Sequence, residues 1–87
     1  MAKLSVRYYL YMIRGDEIIR DMEGEEFESL AEAVDAAQQS LRDMAAEHLT
    51  QATRMTMKAI EIYDETGRHQ TSVEAVTAIA ACLPPWS

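Results

Sequence analysis

The 87-residue sequence predicts an α+β domain of ββαββ order: an antiparallel four-stranded sheet with one long helix on one face and a short C-terminal helix. Three observations predict it. Residues 5–13, SVRYYLYMI, are rich in the aromatic and β-branched types that suit a pleated surface. From Leu30 to His48, apolar residues recur at three- and four-residue steps, the spacing of one helix face. After that helix, residues 57–63, MKAIEIY, return to strand chemistry.

Taken in order, the first strand places Val6, Tyr8, Leu10 and Met12 on one face and Arg7, Tyr9, Tyr11 and Ile13 on the other. Both faces are partly apolar, so a helix should cover one and a partner the other. Arg14-Gly15-Asp16 reads as a turn into a short second strand, about Glu17 to Asp21, completing a hairpin. The acid-rich stretch 21–28, DMEGEEFE, reads as a loop, with Phe27 pinning it to the core. Ser29 and Glu32 have capping-box spacing and open the long helix. Leu30, Val34, Ala37, Leu41, Met44, Ala45 and His48 form its stripe. A helix of about 19 residues spans about 28 Å, long enough to lie across a sheet. Residues 49–56 fit either a helix extension or a loop.

Residues 64–68 form the next turn, and 68–73, RHQTSV, a polar fourth strand suited to a sheet edge. Thr71 and Glu74 have the spacing of a second capping box, opening a short helix from about Ser72 to Cys82 with Val76, Ile79 and Ala80 on one face. Pro84-Pro85 ends it, because proline lacks the backbone donor. Alternating strand directions allow the third strand to pair antiparallel with the first, giving sheet order 2-1-3-4. Residues 1–87 form a single domain, with sheet and long helix over about 5–73 and a helical tail over about 72–87.

Composition narrows the function classes. Fifteen acidic against eight basic residues give a net charge of −7, and the basic residues are scattered. Binding to a phosphate backbone needs clustered lysine and arginine, so the charge argues against nucleic acid as a partner. Thirteen of the apolar residues are alanine, so the core is small. A domain this size hides only roughly 60–65% of its unfolded surface, which favours association. Cys82 is the one cysteine and forms no internal disulfide. Arg7 interrupts the opening apolar run and no small-residue cleavage site follows it, which argues against a signal peptide. No run reaches the ~18 apolar residues that a spanning helix needs. The expectation is a cytoplasmic protein with no membrane partner.

The serial order Tyr8-Tyr9, Arg14-Gly15-Asp16-Glu17, Asp21, Glu23-Gly24, an alanine-rich helix from Leu30, Ile60-Glu61-Ile62 and Asp64-Glu65-Thr66-Gly67-Arg68 resembles a small bacterial family classed as a domain of unknown function. Its pattern runs RYYF, DGD, DxEG, an Ala/Glu-rich helix and IEVxDExGR. The resemblance covers roughly residues 7–72. In that family an apolar strand with proline and phenylalanine follows the glycine-arginine turn, and His69–Val73 departs from it. The resemblance implies no reaction, cofactor or catalytic residue.

Four constellations carry possible chemistry. Asp21, Glu23 and Glu25 alternate as calcium ligands do, with Glu32 at the twelfth position, but Gly24 stands fourth where such loops need glycine sixth. A solvated loop with its acids near a helix N-terminus, where they favour the dipole, is the preferred reading. His48, His69 and Cys82 would form a zinc or nucleophilic site only if the fold gathered them. Arg7, Arg14, Arg54 and Lys58 would make a basic patch on the same condition. Tyr9, Tyr11, Ile13 and Tyr63 are the candidate interface, tyrosine combining contact area with a polar tip. The leading expectation is a non-enzymatic protein-interaction module acting as a homodimer, without catalytic residue, metal or cofactor. An antitoxin-like or nucleic-acid-linked regulator is the alternative, followed by a small hydrolase or metal-binding protein.

Overall fold

The structure, a computed structural model, describes residues 5–51 and 56–80. In chain order its elements are β1 (Val6–Arg14), β2 (Glu17–Ile19), β3 (Glu25–Phe27), α1 (Leu30–Gln51), β4 (Met57–Asp64), β5 (His69–Glu74) and α2 (Ala75–Ala80). All strand pairs are antiparallel. The sheet runs β2-β1-β4-β5, which is the expected order with the third and fourth strands now β4 and β5.

A fifth strand adds to this plan. Residues 25–27, expected within a loop, form β3, pairing Val6 with Phe27, Arg7 with Glu26 and Tyr8 with Glu25. Glutamate is a poor strand former, but tertiary context overrides the preference. Phe27 is buried against Tyr8, ring centres 6.3 Å apart, and Arg7 lies 3.6 Å from the Glu26 carboxylate. Two three-residue strands thus share one margin of β1: β2 borders Met12–Arg14 and β3 borders Val6–Tyr8. Midway, the Leu10 N–H donates to Asp21 Oδ2 at 3.3 Å. A side-chain carboxylate therefore fills the gap between the two short strands.

α1 covers the face bearing Tyr8, Ile60, Ile62 and Val73. Ser29 Oγ accepts from the Glu32 N–H at 3.2 Å, capping the first turn. Ala33, Ala37 and Leu41 are fully buried, with Leu30, Val34 and Met44 packed beside them. Ala33, absent from the expected stripe, belongs to it, because small side chains let the helix backbone approach the sheet. Leu41, Ile60 and Ile62 are the largest fully buried side chains, each worth roughly 1.5–3 kcal/mol on burial.

The expected start of the short helix needs correction. Thr71–Glu74 are strand residues, and α2 begins at Ala75. Its inward side chains are Ala75 and Ala78, with Ile79 partly packed, whereas Val76 is 79% exposed. Pairing with β4 holds Val73 in the core and carries the strand through Glu74, so the helix starts later and its face is rotated. Arg42 Nε donates to the Ala78 carbonyl at 3.2 Å, tying the two helices together. Arg54, Cys82, Pro84, Pro85 and Trp86 lie outside the described residues.

Candidate functional site

The sheet face opposite α1 is covered by none of the described elements. Strand alternation puts Arg7, Tyr9, Tyr11 and Ile13 on it, and register adds their β4 neighbours: Tyr9 pairs with Tyr63, Tyr11 with Glu61, and Ile13 with Ala59. Ile18, which pairs with Ile13, extends the face onto β2 and is 58% exposed. The four expected interface residues Tyr9, Tyr11, Ile13 and Tyr63 are therefore adjacent, and all are half-buried.

The face has two unlike ends. Around Ile13, Ile18 and Ala59 it is aliphatic. Around Tyr9 and Tyr63 it is aromatic and rimmed by acid. The Tyr11 and Tyr63 rings lie 4.7 Å apart, tilted by 37°, and His69 meets Tyr63 edge-on at 5.3 Å. Tyr9, Tyr11 and Tyr63 wall a cleft of about 230 Å³, with Asp21, Asp64 and Glu65 at its rim. Met22, 81% exposed, and Gly67 complete the lining. No lysine or arginine lines it.

One local device builds both sides of the rim. Asp21 Oδ1 accepts from the Glu23 N–H at 3.3 Å and the Gly24 N–H at 3.0 Å, and its other oxygen takes Leu10 N–H. Asp64 Oδ1 accepts from the N–H groups of Thr66 at 2.9 Å and Arg68 at 3.0 Å, and from the Thr66 hydroxyl at 2.6 Å. Gln70 Nε2 donates to Asp64 Oδ2 at 3.0 Å. In each case the glycine three residues on takes positive φ: +73° at Gly24 and +85° at Gly67. Aspartate favours such turns because its carboxylate reaches the backbone ahead of it. The D-x-E-G and D-E-T-G-R segments are thus related aspartate turns beside the tyrosines, differing in that the Gly24 N–H donates to the Asp21 carboxylate and the Gly67 N–H to the Asp64 main-chain carbonyl. Sequence reading treated the first as loose acids and gave the second no role beyond turning.

The donors also set the charge. The Thr66 hydroxyl and the Arg68 and Thr66 backbone N–H groups hold the Asp64 carboxyl below its ordinary 3.8. Tyr63 donates its hydroxyl to Glu61 Oε1 at 3.0 Å, and that bond, with desolvation and the Glu61 charge, pushes the phenol above 10.0.

The described members of the other constellations do not assemble into one site, Cys82 and Arg54 lying outside the described residues. Asp21 faces backbone donors, Glu25 lies in β3, and Glu32 in the first turn of α1. Among the described residues, no group of three His, Cys, Asp or Glu side chains could hold a metal ion. His48 lies on α1, whereas His69, in β5, meets Tyr63 edge-on and approaches Ser72 Oγ at 3.0 Å. Arg7 and Arg14 stand at opposite ends of β1, Arg7 donating to the Glu23 carbonyl at 2.8 Å and Arg14 to Thr56 Oγ1 at 3.1 Å. No described helix is long and apolar enough to cross a membrane.

Residues 7–77 match a family described as a domain of unknown function (DUF6894). No curated protein matches the chain, and no solved structure does.

Proposed function

The chain belongs to the DUF6894 family, and from that premise we propose that it is a non-enzymatic, cytoplasmic protein-interaction module that docks through its open sheet face and pairs with a second copy of itself. The observation that carries this reading is the adjacency of Tyr9, Tyr11, Ile13, Ala59 and Tyr63 on a face with none of the described elements over it. Ile18 extends the same apolar surface. Contiguous exposed apolar surface costs free energy in water and marks contact sites. The aliphatic end of the face, around Ile13, Ile18 and Ala59, suits a twofold contact, in which the same patch serves both partners.

Light scattering on the full chain tests the pairing. The expected mass is twice 9.8 kDa, falling to 9.8 kDa for Ile13→Lys. Ile13 is half-buried on the open face, outside the core cluster, so this variant keeps its thermal transition. A parent chain that stays monomeric at micromolar concentration overturns the homodimer.

A further inference from the structure

We infer that the tyrosine cleft at the Tyr9–Tyr63 end of the open face is a recognition site for an arginine side chain carried on a basic segment of another protein. The inference rests on the interaction-module reading and goes beyond the homodimer, because it names a different partner for one end of the face.

Size comes first. At about 230 Å³ the cleft is smaller than the roughly 300 Å³ at which sites for drug-sized molecules begin. It holds one side chain, not a cofactor. Its walls come second. Three tyrosines line it, Tyr11 and Tyr63 already packed ring to ring, and a cation over the face of such a ring is attracted by its quadrupole. Charge comes third. Asp21, Asp64 and Glu65 rim the opening with no lysine or arginine among the lining residues, and the whole chain carries −7. Arg7, the nearest cation in sequence to Tyr9, is engaged with Glu23 and Glu26. A basic ligand is complementary to this rim; a second copy, carrying the same acids, is not.

Hydrogen bonding selects the kind of cation. Asp64 is crowded by four donor contacts, but Asp21 Oδ2 takes a single backbone N–H at 3.3 Å, and Glu65 is exposed beside it in the lining. A guanidinium is planar, stacks on tyrosine and carries five donors, so it engages ring and carboxylate together. An ammonium is a compact, strongly hydrated point charge that matches the carboxylates but not the flat walls.

Titrating the full-length chain with a blocked glycine pentapeptide bearing one central arginine, followed by amide NMR, tests this. Shifts should concentrate at Tyr9, Tyr63, Glu65 and Gly67, with a dissociation constant of about 1 mM, as suits one side chain. The same peptide with citrulline, which keeps the plane and loses the charge, should bind about tenfold weaker. A lysine peptide should also bind more weakly. Glu65→Lys, an exposed turn change that leaves the fold intact, should weaken arginine-peptide binding about tenfold, as should Tyr63→Leu. Equal binding of the citrulline peptide, shifts dispersed away from the cleft, or an unaffected Glu65→Lys variant would overturn the site. Free arginine binding as tightly as the peptide would overturn the protein-borne source. Sedimentation on the same samples separates the two proposals: a monomer that binds the arginine peptide keeps this site and loses the homodimer, and a dimer indifferent to the peptide does the reverse.

Discussion

Replacing Gly24 with alanine isolates what holds the acid-rich loop against β1. At φ +73° any L side chain strains the backbone, by roughly 1–2 kcal/mol. An added Cβ would also lie 2.9 Å from Arg7 Cγ, 2.9 Å from Tyr9 Cε2 and 3.1 Å from the Tyr8 carbonyl oxygen. The Tyr9 ring can shift. The Tyr8 carbonyl belongs to a strand paired with β3 and β4 and cannot shift without disturbing the ladder. Overpacking of this kind costs roughly 1–3 kcal/mol. Alanine restricts the unfolded chain and returns roughly 0.4–1 kcal/mol. The net loss is about 2–4 kcal/mol, and at about 4–8 °C per kcal/mol the melting temperature should fall by about 10–30 °C. Gly67→Ala is the control: its φ is +85°, but the added Cβ meets nothing within 4 Å, so only the backbone strain remains. Circular dichroism melts of both variants beside the parent decide the matter. If Gly24→Ala melts no lower than Gly67→Ala, the close approach of the loop to Tyr8 and Tyr9 is wrong.

Two further outcomes concern the charges of the face. Because Asp64 titrates below 3.8 when folded, its ionised form contributes stability above that pH and loses it as pH falls through the folded value. Asp64→Asn should therefore melt below the parent at neutral pH and converge with it in acid, and a gap that persists undiminished in acid would contradict the donor arrangement around Oδ1. Tyr63, held above 10.0 by Glu61, contributes stability below that pH and loses it as pH rises through the folded value. Glu61→Gln should bring its ionisation back down towards the ordinary value in an ultraviolet titration; an unchanged curve would remove that hydrogen bond.

The sheet order, the long helix and the division of β1 into two faces were legible because each rests on local periodicity. Tyr8 and Leu10 alternate with Tyr9 and Tyr11, and Ser29 marks the helix start. What escaped reading depends on partners distant in the chain. Glu25–Phe27 has the composition of a loop and becomes a strand only because β1 offers it an unpaired margin. Thr71–Glu74 has the spacing of a cap, yet Val73 is worth more opposite Ile60 than in a helix turn. The tyrosines were readable as a surface group from alternation alone. Their enclosure into a cleft was not, because it depends on two turns, 21–24 and 64–67, that meet only after β1 and β4 have paired. The D-x-x-G spacing shared by those turns was the available signal.

The Asp21 carboxylate that bridges the gap beside Leu10 also limits aggregation. A stranger strand seeking to zip onto this side of the sheet finds only two runs of three residues, β2 and β3, separated by a side chain. Strand addition is most dangerous at long, flat, unpaired margins, and this one is broken into pieces too short to template growth. The opposite border, β5, has neither lysine nor proline, and the one irregularity in its pairing is the register shift at Gln70, where Ile62 pairs with Thr71 and Tyr63 with His69. Among the described residues, Thr71–Glu74 is thus the longest regular run on either border, and fibril formation under mild destabilisation should start there.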